Sequence, residues 1–169
     1  YSFISQKITN MKIFDCFMYF DEDLLLDLRL NSLNQFVEKF VITEATYTHN
    51  GTPKKLNFDI KKFKKFKDKI IYIVVDKQPS NILKLTSDDS KGKRGEKLIL
   101  NGMARDYFQR ENLSKGLKQA TEDDIIFISD LDEIPNLERV DLRKINNNIC
   151  IFEQKMFYYK LNLYYEDFT

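Results

Sequence analysis

The sequence predicts an α/β fold, a mainly parallel sheet flanked by helices. Two observations carry that prediction. Apolar, β-rich runs alternate with segments of helical periodicity, the order that places a crossover between parallel strands. Carboxylates also stand at the carboxyl ends of these runs. Asp130 and Asp132 close the stretch "DDIIFISDLDEIP" (123–135), and Glu44 closes "KFVITEA" (39–45). In open sheets of this class, ligands bind outside the carboxyl ends of the strands.

The elements follow in order. "KIFDCFMYF" (12–20) reads as the first strand. "DEDLLLDLRLNSLNQFV" (21–37) places Leu26, Leu30, Leu33 and Val37 at helical spacing, with Asp21 or Asp23 to cap its start. The second strand is 39–45. Residues 46–58 form a loop, with Asn50-Gly51 and Pro53 as turn formers. "DIKKFKKFKDK" (59–69) spaces Ile60, Phe63 and Phe66 three apart on a short helix with lysines between them, a solvated basic face over a buried aromatic one. "IIYIVVD" (70–76) is the third strand. "SDDSKGKRG" (87–95) reads as a mobile loop. A long helix is predicted from Glu96 to Ala120, then a fourth strand over 124–130. The aromatic run "CIFEQKMFYYKLNLYY" (150–165) is a fifth strand region. The chain shows no internal repeat and no linker, and its 169 residues fit a single domain.

Composition narrows the function classes. Hydrophobic residues make up 43% and charged residues 31%, so a globular core is expected. The 27 basic residues nearly balance the 26 acidic ones, and a net charge of +1 gives no bulk attraction to nucleic acid. No apolar run approaches the roughly 20 residues of a membrane span. The amino-terminal stretch has neither the apolar core nor the cleavage site of a signal peptide, and it begins with Tyr1. Cys16 and Cys150 lie in apolar runs and read as buried, reduced thiols. With those two cysteines and one histidine, His49, a His/Cys zinc site is nearly excluded, so a metal here would be a hard cation held by oxygen. There is no Gly-rich turn after the first strand and no phosphate-binding P-loop.

The carboxylates past the fourth strand are the chemical centre of the sequence. Two aspartates one residue apart repel one another unless a positive charge lies between them. A Mg²⁺ or Mn²⁺ ion bound to a diphosphate supplies it, taking one or two protein carboxylates and filling its other positions with phosphate oxygens and water. The plainer reading is a polar strand end entering a helix, capped by Ser129 or Asp130. A bare D-x-D occurs often by chance. Here a buried strand delivers the pair and Pro135 follows it.

At this point the sequence resembles glycosyltransferase family 17. The resemblance rests on "RDYFQRENLSKGLKQATEDDIIFISDLDEIP" (105–135), on "KIFDCFMYFDEDLLLDLRLNSL" (12–33) and on "FVITEATYTHNGTPKKLNF" (40–58). It implies a nucleotide-sugar-binding fold of GT-A type, a UDP-sugar donor, a divalent Mn²⁺ or Mg²⁺ and an inverting transfer to a glycan acceptor. N-acetylglucosamine is the sugar it favours. Carried over, Asp130 and Asp132 match the metal motif. Asp130, Glu133, Arg110 and Glu44 match the donor side. Arg110 has two open readings: a diphosphate ligand, or an ion pair with an acidic neighbour on its helix. Glu44 likewise reads as a nucleotide contact or as a buried structural carboxylate. Asp15 reads as a polar contact inside the sheet, and His49 as a loop residue or a sugar contact.

The chain stops at Thr169, where folds of this type usually continue, so the resemblance implies a domain incomplete at its carboxyl end. The catalytic base is not identified. Glu153, Glu166 and Asp167 are candidates without distinctive context. The aromatic residues Phe157, Tyr158, Tyr159, Tyr164 and Tyr165 could stack on a sugar or fill a core. Two other functions stay open: a phosphoryl-transfer hydrolase using Asp130 and Asp132, and a non-catalytic nucleotide-sugar-binding module. Location follows source, the Golgi lumen for a eukaryotic member and the cytoplasm for a microbial or viral one. The glycosylation patterns at Asn50 and Asn112 carry no weight, one preceding Pro53 and the other lying on a predicted helix.

Overall fold

The computed structural model describes residues 11–145, 148–157 and 163–165. The chain forms two compact units, residues 1–131 and 132–169. The first holds a four-stranded, all-parallel sheet of β1 (Ile13–Met18), β2 (Lys39–Ala45), β3 (Ile70–Val75) and β4 (Ile125–Ile128), in the order β3-β2-β1-β4. Each strand falls where an apolar run predicts it, trimmed by a residue or more at one or both ends except at β2. The strand order switches sides at β1, since β2 and β3 build outward on one side of it and β4 on the other. That is the switch point at which open parallel sheets bind ligands.

The two-residue alternation of strands sorts side chains to two faces. Phe14 and Cys16 on β1, with Val41 on β2, join Leu113, and Ile71, Ile73, Leu117 and Ile126 pack around them. Helix α1 (Asp23–Leu33) buries Leu26, Leu30 and Leu33. Its N-cap is Glu22 rather than Asp21 or Asp23. The Glu22 carboxylate instead accepts from the backbone N–H of Phe20 and Asp21. Asp23 is taken up elsewhere, by the Tyr19 hydroxyl at 2.7 Å and by Lys62.

Residues 59–69 do not form a regular α-helix. They form turns around a 3₁₀ segment, Lys64–Phe66. An aromatic spacing of three matches the three residues per turn of a 3₁₀ helix. Phe63 and Phe66 are buried on it, while Ile60 stays exposed. The second helix, α2, runs over Lys91–Glu111, so it starts inside the stretch that reads as a loop and stops before Ala120. Ser90 caps it, accepting from the Lys93 N–H at 3.3 Å, and Asp89 takes the Lys97 ammonium at 2.6 and 2.7 Å. Gly92 and Gly95 have nothing within 4 Å of an added Cβ, so no close contact requires glycine at either position. At the other end a 3₁₀ segment, Asn112–Gly116, lets Gly116 sit directly on Val41.

The second unit has 3₁₀ turns at Leu137–Arg139 and Leu142–Lys144 and a two-stranded antiparallel pair, β5 (Met156–Phe157) with β6 (Tyr164–Tyr165). The aromatic run therefore makes a separate small sheet rather than a fifth parallel strand. Phe157 and Tyr164 meet with ring centroids 5.7 Å apart. Tyr158 and Tyr159 lie outside the described residues. Cys150 is exposed, against expectation, as are Ile149 and Ile151 on either side of it, because no regular strand forms there. Cys16 is buried as expected. Burial, with the nearby Asp15 charge adding to it and Arg29 opposing, pushes its thiol up to about 12.

Two outcomes follow from this packing. A Cβ added at Gly116 would lie 2.4 Å from a Val41 methyl and 3.3 Å from Ile73, so Gly116→Ala should cost about 1–3 kcal/mol in urea melts. The Asp89 carboxyl is held below its usual range, first by Lys97 and then by the Thr86 N–H. A lowered folded value means its contribution is complete at neutral pH and is lost as pH falls through that value. Urea midpoints from pH 7 to pH 3 should fall less steeply in Asp89→Asn than in the parent.

Candidate functional site

β4 pairs with β1 in register Ile13↔Ile125 to Cys16↔Ile128, but as an edge strand it is less enclosed than its apolar run suggests: Phe127 is buried while Ile128 is exposed. Its next residues, Ser129, Asp130 and Leu131, leave the sheet at the switch point. Beneath them lies a buried ion pair. Arg29 of α1 and Asp15 of β1 are both fully buried. The guanidinium grips Asp15 with two parallel bonds, Nε to Oδ2 at 2.8 Å and Nη2 to Oδ1 at 2.7 Å. Its other N–H groups reach the loop: Nη2 to Ser129 Oγ at 2.7 Å, and Nη1 to the carbonyls of Asp130 and Leu131 at 2.7 and 3.1 Å. All five guanidinium hydrogens thus have acceptors, the condition under which a buried arginine is tolerable. The Phe17 ring lies 4.6 Å below the guanidinium carbon. Leu131 is buried, which pins the loop from its far end.

With its backbone held from below, Asp130 turns its carboxylate outward, 57% exposed. Arg110, in the last turn of α2, donates to Oδ1 of Asp130 at 2.8 Å and stands 3.6 Å from Asp106, one turn back on the same helix. Arg110 thus pairs with Asp106 on its own helix, as the ion-pair reading has it, and also with Asp130 on the acidic loop. Partial burial works against its charge, but the Asp130 bond and the charges of Asp130 and Asp106 outweigh that and raise its pKa. Asp106 in turn stands 3.7 Å from His49 Nε2, so His49 lies at the edge of this charged row.

Glu44 is placed differently. Its carboxylate is fully buried at the end of β2. It accepts from the backbone N–H of Asn57 at 2.7 Å and of Phe58 at 3.1 Å, from the Tyr72 hydroxyl at 2.7 Å, and from Lys54. This is the geometry of the structural carboxylate, one that fastens the 54–58 loop. Burial, then the Glu44 hydrogen bond, raises the pKa of Tyr72, which keeps it a donor.

Asp132 and Glu133 belong to the second unit and are exposed, as is Glu153. Glu166 and Asp167 lie outside the described residues. Among the described residues, no three Asp, Glu, His or Cys side chains are grouped to hold a metal ion by themselves. By residue type alone, each aspartate of the motif is of the kind a hard cation takes. Asp130 and Asp132 offer only carboxylate oxygen, and Mg²⁺ or Mn²⁺ takes one or two such ligands and completes its shell from bound phosphate and water.

The sequence reading missed Arg29. Its signal was available: positions 26, 29, 30 and 33 make one helical stripe, and an arginine stands there among leucines. Asp15, a carboxylate inside an apolar strand, was its counterpart.

The open parallel sheet, with an acidic loop at its switch point, places the protein in the α/β class that binds ligands at the carboxyl ends of the strands. The sequence profile of glycosyltransferase family 17 matches residues 3–168, and the chain belongs to that family. It is similar to the beta-1,4-mannosyl-glycoprotein 4-beta-N-acetylglucosaminyltransferases of Homo sapiens and Rattus norvegicus, each 28% identical over 125 residues, and to that of Mus musculus at 27%. The match covers 72% of this chain and 21% of each relative, so the chain spans about a fifth of their length. No solved structure matches it significantly.

The Asp15–Arg29 pair makes a sharp expectation. Arg29→Met leaves a buried carboxylate unpaired and should destabilise the fold by about 3–5 kcal/mol. Replacing both partners with apolar residues should recover much of that loss, and a double-mutant cycle in urea would read the difference.

Proposed function

We propose that this chain is the donor-binding part of a metal-dependent, inverting glycosyltransferase of GT-A type. It would move a sugar from a UDP-sugar to a hydroxyl of a glycan acceptor. The observation that carries the reading is the Asp130 carboxylate, presented outward at the switch point and paired with Arg110 at 2.8 Å. Family membership supports the reaction class. The names of the similar proteins support N-acetylglucosamine as the sugar and a glycoprotein glycan as the acceptor.

In this reading Asp130 and Asp132, paired on the sequence motif, hold Mn²⁺ or Mg²⁺. When bound, the ion neutralises negative charge on the departing nucleotide diphosphate. Arg110 adds a permanent, planar cation for the same oxygens, exchanging its bond to Asp130 for one to the ligand. Glu133, next to the pair in sequence, orients the donor. The buried Arg29 keeps the loop in place before any ligand arrives, so little ordering is left to binding. The base that deprotonates the acceptor is proposed to lie beyond β4, with Glu153, Glu166 and Asp167 as candidates.

The test is a calorimetric titration with UDP, with and without Mn²⁺, on the parent and on Asp132→Asn. Binding should need the metal and should weaken at least about tenfold in the variant, equivalent to about 1.4 kcal/mol. Binding indifferent to both metal and Asp132 would remove the metal-dependent reading. No binding at all would leave the chain without a donor site.

A further inference from the structure

Arg105 of α2 is buried, 8% exposed, yet its partners are neutral. Nε donates to the Gln78 side-chain oxygen at 2.7 Å and Nη1 to the His49 carbonyl at 3.0 Å. Among the described residues no carboxylate is paired with it, and Nη2 makes no hydrogen bond. The closest acid in sequence, Asp106, is turned to His49 and Arg110. Asp76 acts with Arg105 on the same hydroxyl, that of Tyr47. Burial raises the Tyr47 pKa, Asp76 adds to the rise, and the Arg105 charge opposes it. Other buried cations here are matched, Arg29 by Asp15 and the Lys54 ammonium by Glu44.

The surroundings are shaped around this guanidinium. Residues 47–53 fold back in a tight loop, with Tyr47 bridged to Pro53 and the Gly51 N–H bonded to the Thr48 carbonyl at 2.8 Å. Gly51 has φ of +87°, and a Cβ there would lie 2.4 Å from Arg105 Nη2 and 2.7 Å from its central carbon. Glycine is needed for the turn and for the guanidinium to approach it this closely. The loop follows β2 and Gln78 follows β3, so Arg105 stands at the ligand-binding end of the sheet.

A buried charge without a counter-charge is costly, and arginine presents the fork that matches phosphoryl oxygens. We propose that Arg105, held by Gln78 and the His49 carbonyl over Gly51, is an anion-recognition site for a phosphoryl group, separate from the Asp130 loop. It rests on the donor-binding reading only for the source of that group, one phosphate of the nucleotide.

The experiment is a thermal melt of the full chain in metal-free buffer. Inorganic phosphate, UMP and uridine are the probes, with chloride at matched ionic strength as control. Phosphate and UMP should raise the parent's melting temperature and uridine should not. A larger effect of UMP at equal concentration would identify the nucleotide as source, and equal effects a free phosphate. Arg105→Met should lose the response, with apparent affinity at least about tenfold weaker. Without added anion it should melt no lower than the parent, because an uncompensated buried charge has been removed. Arg105→Lys, which keeps the charge without the fork, should respond partly. A parent that ignores phosphate, or an Arg105→Met chain that responds equally or unfolds, would overturn the site and make Arg105 a structural strut. Because no metal is present, either result leaves the Mn²⁺-dependent UDP test independent.

Discussion

A carboxylate and a guanidinium cannot lie fully buried in the same protein unless each satisfies the other and every remaining hydrogen finds an acceptor. The Asp15–Arg29 pair meets that demand with two hydrogen bonds to the sheet and three to the loop that follows β4. The direction of dependence matters. Apolar packing alone would let the loop after Ile128 settle in many ways, since Ser129 and Asp130 have little to bury. Hydrogen bonds from a fixed guanidinium admit one arrangement. The pair is weak evidence for stability, because well-packed apolar residues often do as well. Its value is that the backbone of Asp130 has a defined place.

The same device recurs along the carboxyl end of the sheet. Glu44, inside the core at the end of β2, fastens residues 54–58 through two backbone N–H groups. Arg105, inside α2, bridges the turn after β2 and the segment after β3. The connections after β2 and β4 are thus each held by a fully buried ionisable side chain, Glu44 and Arg29. The amino end of the sheet is held differently, by exposed lysines on carbonyls and surface carboxylates, as with Lys39 on Asp68 and Lys12 near Glu38. The two ends of the sheet thus differ, with loops anchored from within at one and a solvated rim at the other.

Much of this was legible in the residues. The four parallel strands follow from their apolar runs, and the acidic loop from its position after the last of them. Legibility failed where a local pattern was overruled by a distant contact. The glycine-bearing start of α2 looks like a loop until Ser90 and Asp89 are seen to close its first turns. Cys150 looks like a core residue because its neighbours are apolar, yet no strand forms around it. Glu44 stands at a strand end as a ligand-binding acid would, and only the approach of Asn57, Phe58 and Tyr72 shows that it is used up within the fold. Arg29 could have been found: a cation on the buried stripe of a helix and an anion inside a strand imply one another.

The pairing of β4 with β1 also governs when the acidic loop comes into being. The bond from Arg29 to the Asp130 carbonyl joins residues 101 apart in the chain, whereas β1, α1 and β2 are near neighbours. Closing so long a stretch is slow, and contacts of this kind form late. β4 is also an edge of the four-stranded sheet, held by β1 alone among the described strands. Strands bound on one side open more readily than those between two others. The acidic loop thus depends on contacts between residues about a hundred apart, and its arrangement is expected to form after the local β1–α1–β2 contacts.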